Sequence, residues 1–277
     1  MRLSLSVRIA EGFGSKEIPI LNLEEVVRLA SDCDYDAICM RASQMGIQSA
    51  ERTIADGCRT LKQSGLPVSM LTGDFDVVYN NERGPDCLRD ITPYLQLAQR
   101  LNAPLIRVAL REDEDIKAAQ QAADRAAAVG IRLVHQCHTR SLFETVDGME
   151  EALRRIDRPN FGLIFEPANL EICGQACGPE VIERLSPWIF NVYLQNQLIR
   201  PNGQLTLDTW CRGPVSFDLI QIHDSGGIDF SRVFEGLRRI SYTGTVTVHQ
   251  SACEGQSARQ SAHATAQFLR RLMVGKS

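Results

Sequence analysis

A chain of 277 residues with 44 % hydrophobic and 23 % charged residues carries enough apolar surface for one large core, and its composition excludes a disordered protein. The formal net charge of −4, with no run of basic residues, excludes the clustered Lys and Arg on which nucleic-acid binding depends. No stretch approaches the roughly 20 apolar residues of a membrane span, MRLSLSVRIAEGF lacks the shape of a signal peptide, and nine scattered cysteines without a CxxC pair suit reduced thiols, so a cytoplasmic location is expected.

Short β-rich runs alternate with amphipathic helical patterns along the chain. Strands are predicted near 3–9, 35–41, 67–72, 104–110, 131–136, 161–166, 188–195 and 244–249. Between them, LNLEEVVRLASDCD has Asn22 as its N-cap, and EDEDIKAAQQAADRAAAVG has acidic residues in its first turn, an Ala-rich middle and Gly130 as a stop. Parallel pairing follows, because each strand is separated from the next by a crossover-length segment. Eight such units predict an α/β fold of the (β/α)8 TIM-barrel class, with residues 1–277 as one domain. The Gly-, Pro- and polar-rich stretch at about 196–227 follows strand seven and is read as a long, irregular rim loop or lid. GFGSKE after strand one offers a GxG, but without a third glycine it is a weak phosphate-turn signal, and no nucleotide cofactor is expected. CGQAC, with Cys173 and Cys177, has a zinc-like spacing but no second pair.

Barrel side chains alternate between the interior and the helix layer, and functional groups sit at the C-terminal strand ends. On strand five, Ile131, Leu133 and His135 share one parity and Val134, Gln136 and His138 the other; if the apolar pair faces the helices, Gln136 and His138 enter the mouth and His135 does not. Glu166 ends strand six, where an unpaired buried carboxylate is costly, so it should meet a cation or a metal ion or stay protonated. On strand seven, Phe190, Val192 and Leu194 are read as facing the helices and Asn191, Tyr193 and Gln195 as facing inward. Thr245, Thr247 and His249 share a face of the last strand, with His249 aimed at the mouth. Arg8, Arg41 and Arg107 converge from the first half of the barrel, which favours an anionic or hydroxyl-rich substrate unless interior carboxylates pair with them. His223 and Asp224 are read as solvated loop residues and His263 as a surface residue.

HQCHTRSLFET, FGLIFEPANL, NVYLQNQ, GGIDF and GTVTVHQ, in this order on successive strands, resemble the xylose-isomerase-like TIM barrels: sugar and sugar-phosphate isomerases and epimerases, inosose dehydratases and an apurinic-endonuclease branch. Many such proteins hold a divalent ion (Mn, Mg, Co or Zn) through Glu, Asp, His and Glu on strands five to eight, the two glutamates also moving protons. Here those positions carry Gln136, Glu166, Tyr193 and His249. The two-glutamate shuttle is therefore lost. A weaker metal site from Glu166, His249, Gln136 and His138 remains chemically open.

The resemblance implies an enzyme that moves a proton next to a carbonyl of a small polyhydroxylated carbohydrate or derivative, as an isomerase or epimerase, with metal assistance left open. Glu166 and His249 are the acid/base candidates, and Gln136, His138, Tyr193, Gln195, Arg8, Arg41 and Arg107 the substrate-binding candidates. A lyase or dehydratase on a keto-sugar or inosose, and a non-catalytic carbohydrate-binding member, are the alternatives. No nucleic-acid or membrane partner is expected; a homo-oligomer is compatible with the sequence.

Overall fold

The computed structural model describes residues 1–12, 15–253 and 255–275. In chain order its regular elements begin with β1 (Arg2–Ser6), α1 (Leu23–Asp32), β2 (Ala37–Arg41), α2 (Glu51–Ser64), β3 (Val68–Thr72), α3 (Phe75–Tyr79), α4 (Asp86–Arg89), α5 (Thr92–Leu101) and β4 (Leu105–Val108). There follow α6 (Asp115–Ala127), β5 (Arg132–Gln136), α7 (Val146–Ile156), β6 (Phe161–Phe165), α8 (Pro167–Ile172), α9 (Pro179–Leu185) and β7 (Ile189–Leu194). The last part carries β8 (Asn196–Ile199), β9 (Leu205–Thr209), β10 (Gly213–Ile220), α10 (Phe230–Arg239), β11 (Thr245–Val248) and α11 (Ala258–Met273). Strands β1 to β7 and β11 close into a parallel barrel, β11 joining β7 to β1. All eight predicted barrel strands are present, and no described helix is long and apolar enough to cross a membrane.

Local chemistry explains the helix starts. Asn22 and Glu25 form a reciprocal capping box on α1, and α7 and α11 are capped by Thr145 and Ser257. Pro167 opens α8 where its missing N–H costs nothing.

The barrel interior is layered with a period of two. Cys39, Met70, Leu105, Val134, Ile164 and Tyr193 form an apolar floor, one residue from each of β2 to β7. Two residues further along each strand stand Arg41, Thr72, Arg107, Gln136, Glu166 and Gln195, all buried. The same step from Thr247 reaches His249. A pleated strand returns to the same face every second residue, so the apolar layer positions the polar one above it.

Three expectations need correction. Strand one ends at Ser6, whose hydroxyl accepts from the Arg8 N–H and starts a 3-10 turn, Val7–Ala10; Arg8 thus leaves the barrel wall on a turn. Phe190 packs against the apolar floor and not the helix layer, because the β6–β7 register shifts: Leu163 pairs with Ile189, but Ile164 pairs with Asn191. The segment after β7 is not irregular over its whole length: β8, β10 and β9 form an antiparallel sheet on the barrel rim. Gly213, at φ +73°, supplies the left-handed residue that closes the β9–β10 hairpin. The GxG is only partly described, since Phe13 and Gly14 lie outside the described residues.

Candidate active site

A cavity of about 670 Å³ opens at the C-terminal end of the barrel. Its floor carries Gln136, Glu166 and Gln195, and its walls carry Arg8, Lys16, Arg111 and His138. Leu205, Leu207, Phe217 and Leu219 of the rim sheet overhang it. Their alternation gives the sheet an apolar face, part of which also packs on Ile172 of α8.

Glu166 is the buried carboxyl of this cavity, 2 % exposed. Its Oε2 accepts hydrogen bonds from Gln136 Nε2 and, at 2.9 Å, from Asn169 Nδ2. Asn169 is one helical turn along α8 from Glu166 and is itself fixed by the Cys137 carbonyl at 2.8 Å. No hydrogen bond to Oε1 is made among the described residues. Burial pushes the carboxyl up to about 7, against the opposing pull of Gln136, Arg107, Arg8 and Lys16.

His249 reaches the same layer but does not line the cavity. Its ring stacks on Tyr193 with centroids 3.8 Å apart and planes 8° from parallel. Arg41 Nη1 lies 3.0 Å from Nε2, and a guanidinium can only donate. The proton of a neutral His249 is therefore on Nδ1, facing the Ser6 hydroxyl at 3.3 Å. Burial, then Arg41, Arg8 and Arg107, hold this imidazole well below its ordinary value. Tyr193, with its hydroxyl 3.4 Å from Cys39 Sγ, also lies beneath the cavity.

Arg41 is occupied by Glu11, which accepts from Nε at 2.9 Å and Nη2 at 3.2 Å; Ser43 adds a third bond to Glu11 at 2.8 Å. Arg107 is 1 % exposed and has no salt-bridge partner among the described residues; its Nε is without a hydrogen-bond partner. Thr72 Oγ1 and Gln136 Oε1, in the same layer, are unpartnered too. His138 lines the cavity with Nδ1 3.0 Å from the Thr139 carbonyl, so its neutral form presents Nε2 as an acceptor. Burial, followed by Arg107, holds it well below the usual range. His135 faces the helix layer, edge-on to Phe143, with Nδ1 2.9 Å from the Val108 carbonyl.

Of the sequence-derived residues, the cavity gathers Gln136, His138, Glu166, Gln195 and Arg8, while Arg41, Arg107, Tyr193 and His249 are buried in the barrel and do not line it. Sequence reasoning missed Glu11, Lys16, Arg111 and Asn169. Asn169 had a signal, since the i+3 spacing in EPAN places its amide over Glu166; the other three sit on loops whose direction has no periodicity.

Of the four side chains suited by type to a divalent ion, the three that are carboxylate or imidazole do not converge, and Gln136 donates its amide to Glu166. Glu166, His138 and His249 do not bring ligand atoms within 4.8 Å of one another; among the described residues, the trio that does is Glu144, Cys173 and Cys211, away from the cavity floor. His249 Nε2 faces a guanidinium, and Glu166 Oε2 faces two amide N–H groups. Arg8, Arg41, Arg107 and Lys16 all act on this space. The electrostatics therefore oppose a hard dication. The Glu144 trio has its own structural explanation: Glu144 accepts backbone N–H bonds from Arg140, from Trp210 at 2.8 Å and from Cys211 at 2.9 Å, which pins the β9–β10 hairpin to the β5–α7 connection.

The chain belongs to the xylose isomerase-like TIM barrel family, whose profile matches residues 27–272. Its fold is similar to that of the probable 3-DHS dehydratase AsbF of Bacillus anthracis, at 15 % identity and a TM-score of 0.71, over 98 % of this chain and 99 % of the other. It is also similar to D-allulose 3-epimerase of Methylomonas sp. in complex with D-allulose (15 % identity, TM-score 0.72, 98 % and 96 % covered). A third neighbour is a xylose isomerase-like TIM barrel protein of Mycobacterium smegmatis in complex with magnesium (14 %, TM-score 0.73, 100 % and 98 %). No curated protein matches the chain.

Proposed function

We propose that this protein is an enzyme that moves a proton at a carbon next to a carbonyl in a small polyhydroxylated substrate, with Glu166 as the acid/base group. The observation that carries this reading is Glu166 itself: a buried carboxyl with one oxygen held by Gln136 and Asn169, the other free toward the cavity, and burial that brings it to about 7. A group titrating near the working pH is present in both forms and can take and return a proton. The ionised form would remove the proton through Oε1. In an isomerisation the neighbouring hydroxyl's proton passes to the former carbonyl oxygen and the carboxylic acid returns its own proton to the adjacent carbon; in a dehydration it gives that proton to the departing hydroxyl, which leaves as water.

Epimerisation through two opposed bases is less well supported. His249 is covered by Arg41 and Tyr193, and Glu166 is the buried carboxyl in the cavity floor, so a single-base reaction fits the residues better. Dehydration is the second reading, favoured by the same single carboxyl, and the fold does not choose between the two. His138 Nε2 and Gln195 would position substrate hydroxyls, while Gln136 holds Glu166 in place. His249, Tyr193 and Arg41 are assigned a positioning role beneath the substrate. No step is assigned to a metal ion.

The test is solvent deuterium incorporation, read by NMR, into a panel of ketoses and keto acids incubated with chelator-treated protein. Wild type should label a carbon next to the carbonyl, and Glu166→Gln should lower the rate by about 10²–10⁴-fold. Labelling that survives in Glu166→Gln would overturn the assignment, and labelling that needs added metal would overturn the metal-free reading.

A further inference from the structure

We propose that the substrate of this cavity carries an oxyanionic group, a carboxylate or a phosphate ester, seated against Arg8 and Lys16 of its wall, with the buried Arg107 adding to the positive field. This specifies the substrate class and rests on the cavity being the site of the proposed reaction.

The chain as a whole is acidic, at −4, yet five cationic side chains (Arg8, Lys16, Arg83, Arg111 and Arg140) line the cavity against three acidic ones. Of the acids, Glu82 and Asp208 are exposed at the outer rim, while Glu166 is the inward one. The interior carboxylate that could neutralise a guanidinium, Glu11, is committed to Arg41. Arg83 has Asp76 at 3.6 Å. Arg8, Lys16 and Arg107 have no acidic side chain within salt-bridge distance among the described residues. The Arg107 Nε makes no hydrogen bond although the residue is almost fully buried.

An unpaired buried cation is costly, and several in one cavity repel one another. At Lys16, burial first and then Arg8, Arg41 and Arg107 lower the ammonium to about 7. An entering oxyanion would pair with charges that the fold leaves unpaired, and guanidinium groups give it charge-assisted bonds of fixed geometry. Glu166, brought by burial to about 7, is only partly ionised near neutral pH and does not supply the full counter-charge. A neutral polyol would leave the cations as they stand.

Calorimetric titration at low salt with inorganic phosphate, gluconate, glucitol 6-phosphate and glucitol tests this, because the last three share a carbon skeleton and differ in charge. Gluconate, glucitol 6-phosphate or both should bind at least tenfold more tightly than glucitol. Arg8→Gln and Lys16→Gln should each weaken the preferred anion by at least tenfold, with Lys16→Arg restoring most of the loss. Preference for gluconate identifies a carboxylate, and preference for the phosphate ester identifies a phosphate. Both variants lie on the cavity wall, so their unliganded melting temperatures report whether the fold is intact. Equal binding of glucitol, no anion binding at all, or anion binding that ignores both substitutions would overturn the inference. The outcome is separable from the reaction: neutral substrates labelled in a Glu166-dependent way would sink the anion and keep the enzyme, whereas anion binding without Glu166-dependent exchange would do the reverse.

Discussion

Glu166→Gln isolates the cost of holding a carboxylate inside the barrel. The glutamine is nearly isosteric, and its amide oxygen can still accept from Gln136 and Asn169. In the folded chain the carboxyl is raised from 4.5 to about 7, so between these values the folded state binds a proton that the unfolded state has released. Wild-type stability from this group is therefore complete at low pH and is lost as pH rises through that window. A shift of this size corresponds to about 3 kcal/mol. With unfolding entropy of about 2 cal/mol/K per residue, 277 residues give about 0.6 kcal/mol/K, so the effect on the midpoint is about 5 °C. Melting both proteins by circular dichroism from pH 5 to pH 8 should show the variant gaining stability over wild type by nearly that amount, while contributions from other groups cancel in the difference. A difference independent of pH would refute the argument that Glu166 is a desolvated acid.

Glu11→Gln should destabilise the protein by about 3–5 kcal/mol by leaving Arg41 buried without its carboxylate; denaturant titration would show it, and an unchanged midpoint would remove the pair from the account. Burial lowers His135 to about 3, so its contribution is complete above its unfolded value of 6.5 and is lost as pH falls from there. His135→Asn, whose amide can keep the Val108 bond, should flatten the acid limb of the stability curve even if it lowers the neutral plateau. Glu144→Ala should release the β9–β10 hairpin, and hydrogen exchange at the Trp210 and Cys211 amides should quicken while the barrel strands keep their protection.

The barrel was legible because its signals are periodic. Each strand announces itself by β-rich composition, and the step of two from Val134 to Gln136 and from Ile164 to Glu166 leads from the apolar floor to the polar layer. The rim sheet was hidden behind its composition. Gly and Pro in 200–214 suggested a loop, although LTLDT and VSFDLI alternate as strands do. Phe190 could not be placed, since a register shift between neighbouring strands leaves no mark on one strand's own pattern. His249 sits at a strand end, as predicted, but its access depends on Arg41 and on the ring of Tyr193, contacts made across more than 50 residues of sequence. Glu11 and Lys16 lie on a loop whose path is set by the groups it meets, Arg41 among them, and only the assembled structure shows that one cation is neutralised and the other is not.

The central claim, a carboxyl poised near neutrality in a cavity walled by cations, can be measured without knowing the substrate. Carbon-13 NMR of protein labelled at glutamate Cδ, titrated for wild type and Glu166→Gln, identifies the Glu166 resonance by its loss in the variant. The account predicts a midpoint near 7 for that resonance. A midpoint at or below the ordinary value of about 4.5 would mean that Glu166 is a fully ionised partner of the neighbouring cations, and would contradict its assignment as the group that takes and returns the proton.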